Sequence, residues 1–515
     1  MTRFDPARVG LFTELFASVA EEMGAALERV SFSPNIKERR DYSCAVFDAE
    51  GRLIAQAAHI PVHLGAMEFL MRHWLAHGPS IEPDRLYVTN DPYFAGTHLP
   101  DISVIRSVEA GGLRVGYVAS RAHHADIGGA APGSIAPAKT IEEEGLVIPP
   151  QELTRRAADW IAASSRTPEE RLGDLEAQRA AAAIGARRFG ELAGRCGEAL
   201  AARIEECLAY AEALTRAALR NIQAGAYRAE DVIEGLPGPD PTARLRLSVT
   251  APGDGTIRFD FADTDAQRPI GLNATEAVTR SACYYVVRCL AGDAPTNGGC
   301  WAPVTVAAPP GTLVNATHPA PVVAGNTETS QRIVDLILQA LAPALPDRVP
   351  ACSQGTMNNL ALGADDWAYY ETVAGGAGAG PARPGAHGAH THMTNTRNTP
   401  VEALEIELPL RVRRYELRRG SGGAGRHTGG DGVVREIEVL APDAILTLMT
   451  GRRDKGPPGA GGGEPGRPGR NTLIRGGARQ ALPSKGIVRL HAGDRIRVET
   501  PGGGGWGRAE AAVVE

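Results

Sequence analysis

The sequence predicts a mixed α/β protein: a mixed N-terminal lobe carrying a metal, a helical middle, and a β-rich, glycine-rich C-terminal half. Helix-spaced apolar residues dominate near the N-terminus and again over residues 166–226, while strand-like patterns mark residues 43–57, 86–120 and the chain beyond residue 235. Glycine, 61 residues in all, crowds into runs after Glu371. A chain of 515 residues exceeds what one compact core serves, so several lobes are expected, divided as 1–165, 166–234, 235–370 and 371–515.

Asp5-Pro6 reads as a cap followed by a first-turn proline. Phe12, Leu15, Phe16, Val19, Met23, Ala26, Leu27 and Val30 then recur at three- and four-residue steps, predicting a helix with one buried face. Ser43–Phe47, the turn Asp48-Ala49-Glu50-Gly51 and Leu53–Ala57 predict a hairpin, followed by a short helix over Met67–Ala76. From Leu86 to Ser120 strand-like segments are broken by Asn90-Asp91-Pro92 and Gly96-Thr97-His98, turns that place side chains on loops at strand ends. Leu192, Cys196, Leu200, Ile204, Cys207, Ala211 and Leu214 form one helical stripe, which serves either a partner or the chain's own core. After residue 235 the pattern turns to strands around Gly253-Asp254-Gly255. The glycine runs at 375–380, 422–425, 461–463 and 502–505 read as tight turns and bulges, since none has the order of a phosphate-binding loop.

Composition narrows the function. A formal charge of -6 with no basic stripe argues against nucleic acid. The N-terminus has no signal layout and no stretch of 18 apolar residues occurs, so no membrane association and a cytoplasmic location are expected. Seven cysteines, an odd number without a C-x-x-C pair, argue against a disulfide framework or a thiolate zinc site.

The chemistry concentrates in Thr89–Asp101 and Ser120–Gly129. His98 and Asp101, three apart with Pro100 stiffening the turn, together with His123 or His124 from a neighbouring strand end, supply two neutral nitrogens and one anion. That donor set holds Zn, Mn or Fe with positions open for water or substrate. Asp126 or Asp91 is expected to orient the ligands, and His59 and His63 to form a neighbouring pocket, with Pro61 between them making a regular helix unfavourable. His387, His390 and His392 form a dense tract that either lines the site, binds a second metal or serves a turn. Neither a G-x-S-x-G elbow nor an activated cysteine is present.

Asp41-Tyr42-Ser43-Cys44-Ala45, Ala58–His63, Asn90-Asp91-Pro92-Tyr93, Thr97–Asp101, His123–Gly129, Gly325–Arg332, Tyr370-Glu371-Thr372, His390–Glu402 and Thr500–Gly505 resemble, in order and over the whole length, the hydantoinase B/5-oxoprolinase B family. The resemblance implies a subunit of an ATP-dependent hydrolase that opens a cyclic amide such as a hydantoin, 5-oxoproline or a lactam. A hydantoinase A-type, actin-like ATPase partner would use ATP to activate the substrate, giving a hetero-oligomer. Related acetone carboxylases imply a divalent metal on His98, Asp101 and His123, with His124 as the alternative register. Asp41, His124 and Asp126 are then expected as catalytic helpers, and His59, His63 and Asp91 as substrate-binding residues. An acetone- or acetophenone-type carboxylase subunit and a non-catalytic scaffold are the competing readings. Gly420-Ser421-Gly422-Gly423 departs from the Asp-Ser-Gly-Gly of many relatives.

Overall fold

In a computed structural model, residues 4–57, 60–235 and 242–509 are described. The N-terminal helix runs from Pro6 to Val30, with the Asp5 side chain accepting the Arg8 backbone N–H as its cap. The expected hairpin forms from β1 (Tyr42–Phe47) and β2 (Leu53–Ala57), its turn held by Asp48, whose carboxylate accepts the Glu50 and Arg52 N–H groups. With β3 (Leu86–Thr89), β4 (Asp101–Ala110), β5 (Leu113–His123) and β6 (Gln151–Glu152) it builds an antiparallel sheet ordered β2-β1-β5-β4-β3-β6.

Side chains alternate across this sheet, and both faces are covered. Cys44, Val46, Val118 and Ala122 pack on the N-terminal helix and on the helix Pro168–Cys196; Ala45, Phe47, Ile105 and Ala119 pack on the helix Ala66–His77. The helical stripe is consumed by the chain itself. Leu200, Ile204 and Cys207 of the helix Leu200–Leu219 are buried with Val9 and Phe16.

The region after the helices differs from its expected division. β7 (Gly225–Glu234) pairs along its length with β8 (Thr242–Ala251), so the boundary placed near residue 235 falls inside one hairpin, and residues 225–234 are strand. β9 (Ile257–Asp260) and β10 (Val304–Ala307) complete that sheet, which packs with the helices Glu276–Ala291 and Ser330–Leu341. Toward the C-terminus, β11 (Asn359–Gly363) and β12 (Ala368–Glu371) join β15 (Asp443–Met449) and β18 (Lys485–His491) in one sheet. β13 (Leu410–Arg418), β14 (Gly432–Val439), β16 (Arg470–Arg475), β17 (Ala478–Leu482) and β19 (Arg495–Glu499) form the other. A common apolar cluster, including Leu360, Leu446, Ile437 and Val498, joins the two.

The glycine runs are a correction to the sequence reading. Most are extended segments packed side by side, with residues 502–505 at the centre. Gly430 N–H donates to Ala377 O, Gly503 N–H to Gly430 O, Gly423 N–H to Gly503 O and Gly505 N–H to Glu464 O, each at 2.8–2.9 Å. A Cβ on Gly376 would lie 2.0 Å from Gly430 O, and one on Gly503 2.0 Å from Ala377 O. Close backbone approach, rather than a turn, demands glycine there. Only Gly461 and Gly462 among the runs have the positive φ that a tight turn uses.

Candidate metal and catalytic site

Antiparallel register builds the site. Asp101 opens β4, His123 closes β5, and the two stand directly opposite each other; Asp41, just before β1, accepts the His123 N–H on its backbone oxygen at 2.9 Å. His98 arrives from the turn before β4, closed by the Asp101 N–H to His98 O bond of 3.0 Å. Asn90 holds this loop: its amide donates to Leu99 O and Leu146 O and its oxygen accepts the Ile148 N–H. Asp41, His98 and His123 line a chamber of about 20 Å³, closed by Asn326, Thr327, Tyr370, Thr372, Thr394 and Thr396.

The polar groups are aimed. His98 Nδ1 lies 3.0 Å from Val323 O, an acceptor, so the proton sits on Nδ1 and the Nε2 lone pair is free. Both oxygens of buried Glu144 fix that peptide by accepting the Val322 and Val323 N–H groups at 3.0 Å. Asp101 Oδ2 accepts from Thr97 Oγ1 at 2.6 Å and Asn326 Nδ2 at 3.4 Å, with His63 Nε2 also at 3.4 Å. The His123 ring stacks on Tyr370 at 4.8 Å and 6°, and Arg39 lies over the same tyrosine ring.

Burial disfavours protonated His98, but the Asp101 carboxylate outweighs it and raises the imidazole. Burial likewise opposes ionised Asp101, yet His98 and His63 hold that carboxyl well below its usual range. Burial, reinforced by His98, keeps His123 neutral. At Asp41 burial prevails over the pull of Arg39 and pushes the carboxyl up to about 6.

Among the described residues no three His, Cys, Asp or Glu donors converge as a finished metal cluster. His98 Nε2, Asp101 Oδ1 and His123 Nε2 are nonetheless all buried without a hydrogen-bond partner, in one neighbourhood where the His98 and His123 rings lie 5.1 Å apart. Buried polar atoms are rarely left so. Two imidazole nitrogens and one carboxylate oxygen are the donor set that Zn, Mn or Fe takes, so the residues fit such an ion. Ligation by His123 Nε2 puts the proton on Nδ1, which requires the Asn35 carboxamide, whose Nδ2 lies 3.1 Å away, to present its oxygen instead.

The other expected site residues disperse. His124 faces the opposite side of the sheet, with Nε2 3.0 Å from Gln178 Oε1, and burial pushes it down to about 4. The one-residue alternation of a strand separates it from His123. Asp126 accepts the Gly128, Gly133 and Arg166 N–H groups and pairs with the Arg166 guanidinium at 2.9 Å, a loop clasp away from the chamber. Asp91 accepts the Tyr93 N–H and does not line the chamber. His63, expected at substrate, is fully buried between Ser43 Oγ and Asp101 and supports the carboxylate instead. His59 lies outside the described residues. Reasoning from spacing did not single out Asn326, Thr327, Tyr370, Thr394 or Thr396, whose motifs were visible, because nothing local ties residues so far apart to one chamber, and it did not reach Arg39, which lies outside those motifs.

The whole chain matches one family description, Hydantoinase B/oxoprolinase, over residues 5–509. The chain belongs to this family. Among relatives of the hydantoinase B/oxoprolinase chain, an uncharacterised protein of Methanocaldococcus jannaschii is 40% identical over 95% of this chain and 88% of its own length. Arabidopsis thaliana 5-oxoprolinase 1 is 39% identical over 98% of this chain but only 42% of its own length, so the chain spans about two fifths of the 5-oxoprolinases it matches. A putative B-type subunit of a D-/L-hydantoinase from Pseudomonas sp. strain NS671 is 30% identical over 98% of this chain and 90% of its own. The fold matches an ATP-dependent caprolactamase of Pseudomonas jessenii with a TM-score of 0.90, at 27% identity and 99% and 92% coverage. An acetone carboxylase matches at a TM-score of 0.87, with 19% identity over 98% of this chain and 76% of that one, a likeness of fold alone. Among the described residues no helix is long and apolar enough to cross a membrane.

Proposed function

We propose that this chain is the B-type subunit of an ATP-dependent hydrolase that opens a cyclic amide, working with an ATPase partner that activates the ring carbonyl. The observation that carries the reading is the end-to-end match to hydrolase relatives, in a chain that leaves three buried donor atoms, on His98, Asp101 and His123, without partners in one neighbourhood. A divalent ion on those atoms would supply Lewis-acid polarisation of a carbonyl or phosphoryl oxygen. His63, Thr97 and Asn326 hold the Asp101 carboxylate, and Val323 holds the tautomer of His98. Asp41, on the chamber wall and able to hold or release a proton near neutrality, is placed to take the proton from an attacking water or return it to the departing amide nitrogen. The buried Arg39 beside it, 3.8 Å from Asp41 Oδ2, keeps the wall from accumulating negative charge.

Hydrolysis is preferred to ketone carboxylation because the acetone carboxylase likeness extends to the fold alone, whereas the named relatives include 5-oxoprolinases, part of a hydantoinase and a caprolactamase. The test is reconstitution with the ATPase partner, ATP and a panel of hydantoin, 5-oxoproline and caprolactam, following the ring-opened acid by mass spectrometry. Opening of at least one ring, abolished by a chelator, is expected. Carboxylation of a ketone with no ring opened would replace this reading.

A further inference from the structure

The chamber lined by His98 and His123 is small, with about 20 Å³ of space. A cavity of about 790 Å³ lies against the helix Glu276–Ala291 and the glycine-rich segment 377–392. The stretch from His390 to Thr396 runs from one space to the other: His390, Thr391 and His392 line the cavity, while Thr394 and Thr396 line the chamber.

The polar lining of the cavity is unusual in what it leaves open. His392 Nε2 lies 3.0 Å from Oδ1 of fully buried Asp335, so the carboxylate orients the ring and the proton sits on Nε2. Nδ1 then remains an acceptor, with no partner among the described residues. The backbone of His392 is held at φ 55°, a conformation that non-glycine residues seldom adopt and that concentrates at working sites. Both ring nitrogens of His390 and the hydroxyl of Thr391 are buried without partners, and burial pushes His390 down to about 4, so it is neutral at physiological pH. Tyr285, Leu338 and Val349 supply apolar wall.

We infer that this cavity is a second ligand site that receives a neutral cyclic amide, its N–H donating to His392 Nδ1 and its carbonyl accepting from His390 or Thr391. The ring methylenes would lie on Tyr285, Leu338 and Val349. The inference rests on the proposed hydrolase reading for the identity of the ring. An amide edge offers the donor and acceptor that this wall leaves unsatisfied, and leaving them unpaired costs more than the bond itself returns. The charged side chains Asp347, Arg348 and Arg383 of the lining are exposed to solvent, and the buried Asp335 carboxylate lies against His392 and close to Arg332, so the inner wall favours a neutral molecule.

The experiment uses the full chain alone, with chelator present, and 2-pyrrolidone as probe, observed by saturation-transfer NMR and titration calorimetry. Saturable binding is expected, weakened at least tenfold by His392→Asn, which tolerates the left-handed backbone, and by His390→Gln. N-methyl-2-pyrrolidone, which lacks the N–H, should bind at least tenfold more weakly. No binding, binding indifferent to both variants, or binding that appears only with added divalent metal would each overturn the second site. Should His392→Asn fail to fold, His390→Gln and the N-methyl probe carry the test. If the probe binds as expected but the reconstituted complex opens no ring, the hydrolase reading fails while the cavity stands as an amide site.

Discussion

His123 and His124 are adjacent in sequence and opposite in consequence. A strand sends successive side chains to opposite faces, so one imidazole reaches the chamber and the other packs against Gln178 of the helix Pro168–Cys196. Metal content by mass spectrometry should therefore distinguish them: His123→Asn, like His98→Asn and Asp101→Asn, is expected to lose nearly all bound ion, whereas His124→Gln keeps it. His63 gives a finer test. It touches Asp101 and lines no part of the chamber, so His63→Phe should leave the fold intact and weaken metal affinity by about 10- to 100-fold, the usual loss for a residue that steadies a ligand from behind. Competition against a chromophoric chelator measures it, and unchanged affinity would remove His63 from the site.

At the scale of elements, glycine carries two distinct jobs. In the bundle around residues 502–505 a single added methyl meets backbone oxygen at 2.0 Å, which no rotamer relieves. Gly376→Ala is expected to cost about 3 kcal/mol or more, seen as a lowered denaturant midpoint or loss of folded protein. Gly194, inside the helix Pro168–Cys196 with open space around its would-be Cβ, should respond the other way. Gly194→Ala is expected to raise stability by about 0.5–1 kcal/mol through helix propensity and a less flexible unfolded chain. Counting glycines could not tell these apart; hydrogen bonding between segments separated by a hundred residues could.

At the scale of the molecule, buried ion pairs tie the middle of the chain to the C-terminal sheets. Asp231 of β7 pairs with Arg332 at 2.7 Å and with Arg452 at 3.0 Å. Burial raises the cost of its charge, and the two guanidinium groups more than offset it, so the carboxyl is held down at about 2 from an ordinary 3.8. A depressed acid contributes stability that is complete above the unfolded value and lost as pH falls through the folded one. Stability should thus drop by about 2 kcal/mol between pH 4 and 2 on account of this group. In urea titrations across that window Asp231→Asn should be less stable at neutral pH and show a flatter acid limb; an unchanged slope would mean that other carboxylates set it.

Local chemistry made much of this legible. The Asp5 cap, the hairpin turn at Asp48 and the amphipathic helices each depend on residues within a few positions of one another, and each is found where the pattern predicts it. The family motifs extended that reading from end to end. What the chain order alone could not settle is whatever depends on register and long-range closure. The pairing of β4 with β5 brings His123 rather than His124 to the chamber, the turn Pro61–His63 sets His63 against Asp101, and Tyr370, Asn326 and Thr396 arrive at the chamber from segments hundreds of residues away. Periodicity states which residues share a face of one element; only the packed structure states which faces meet.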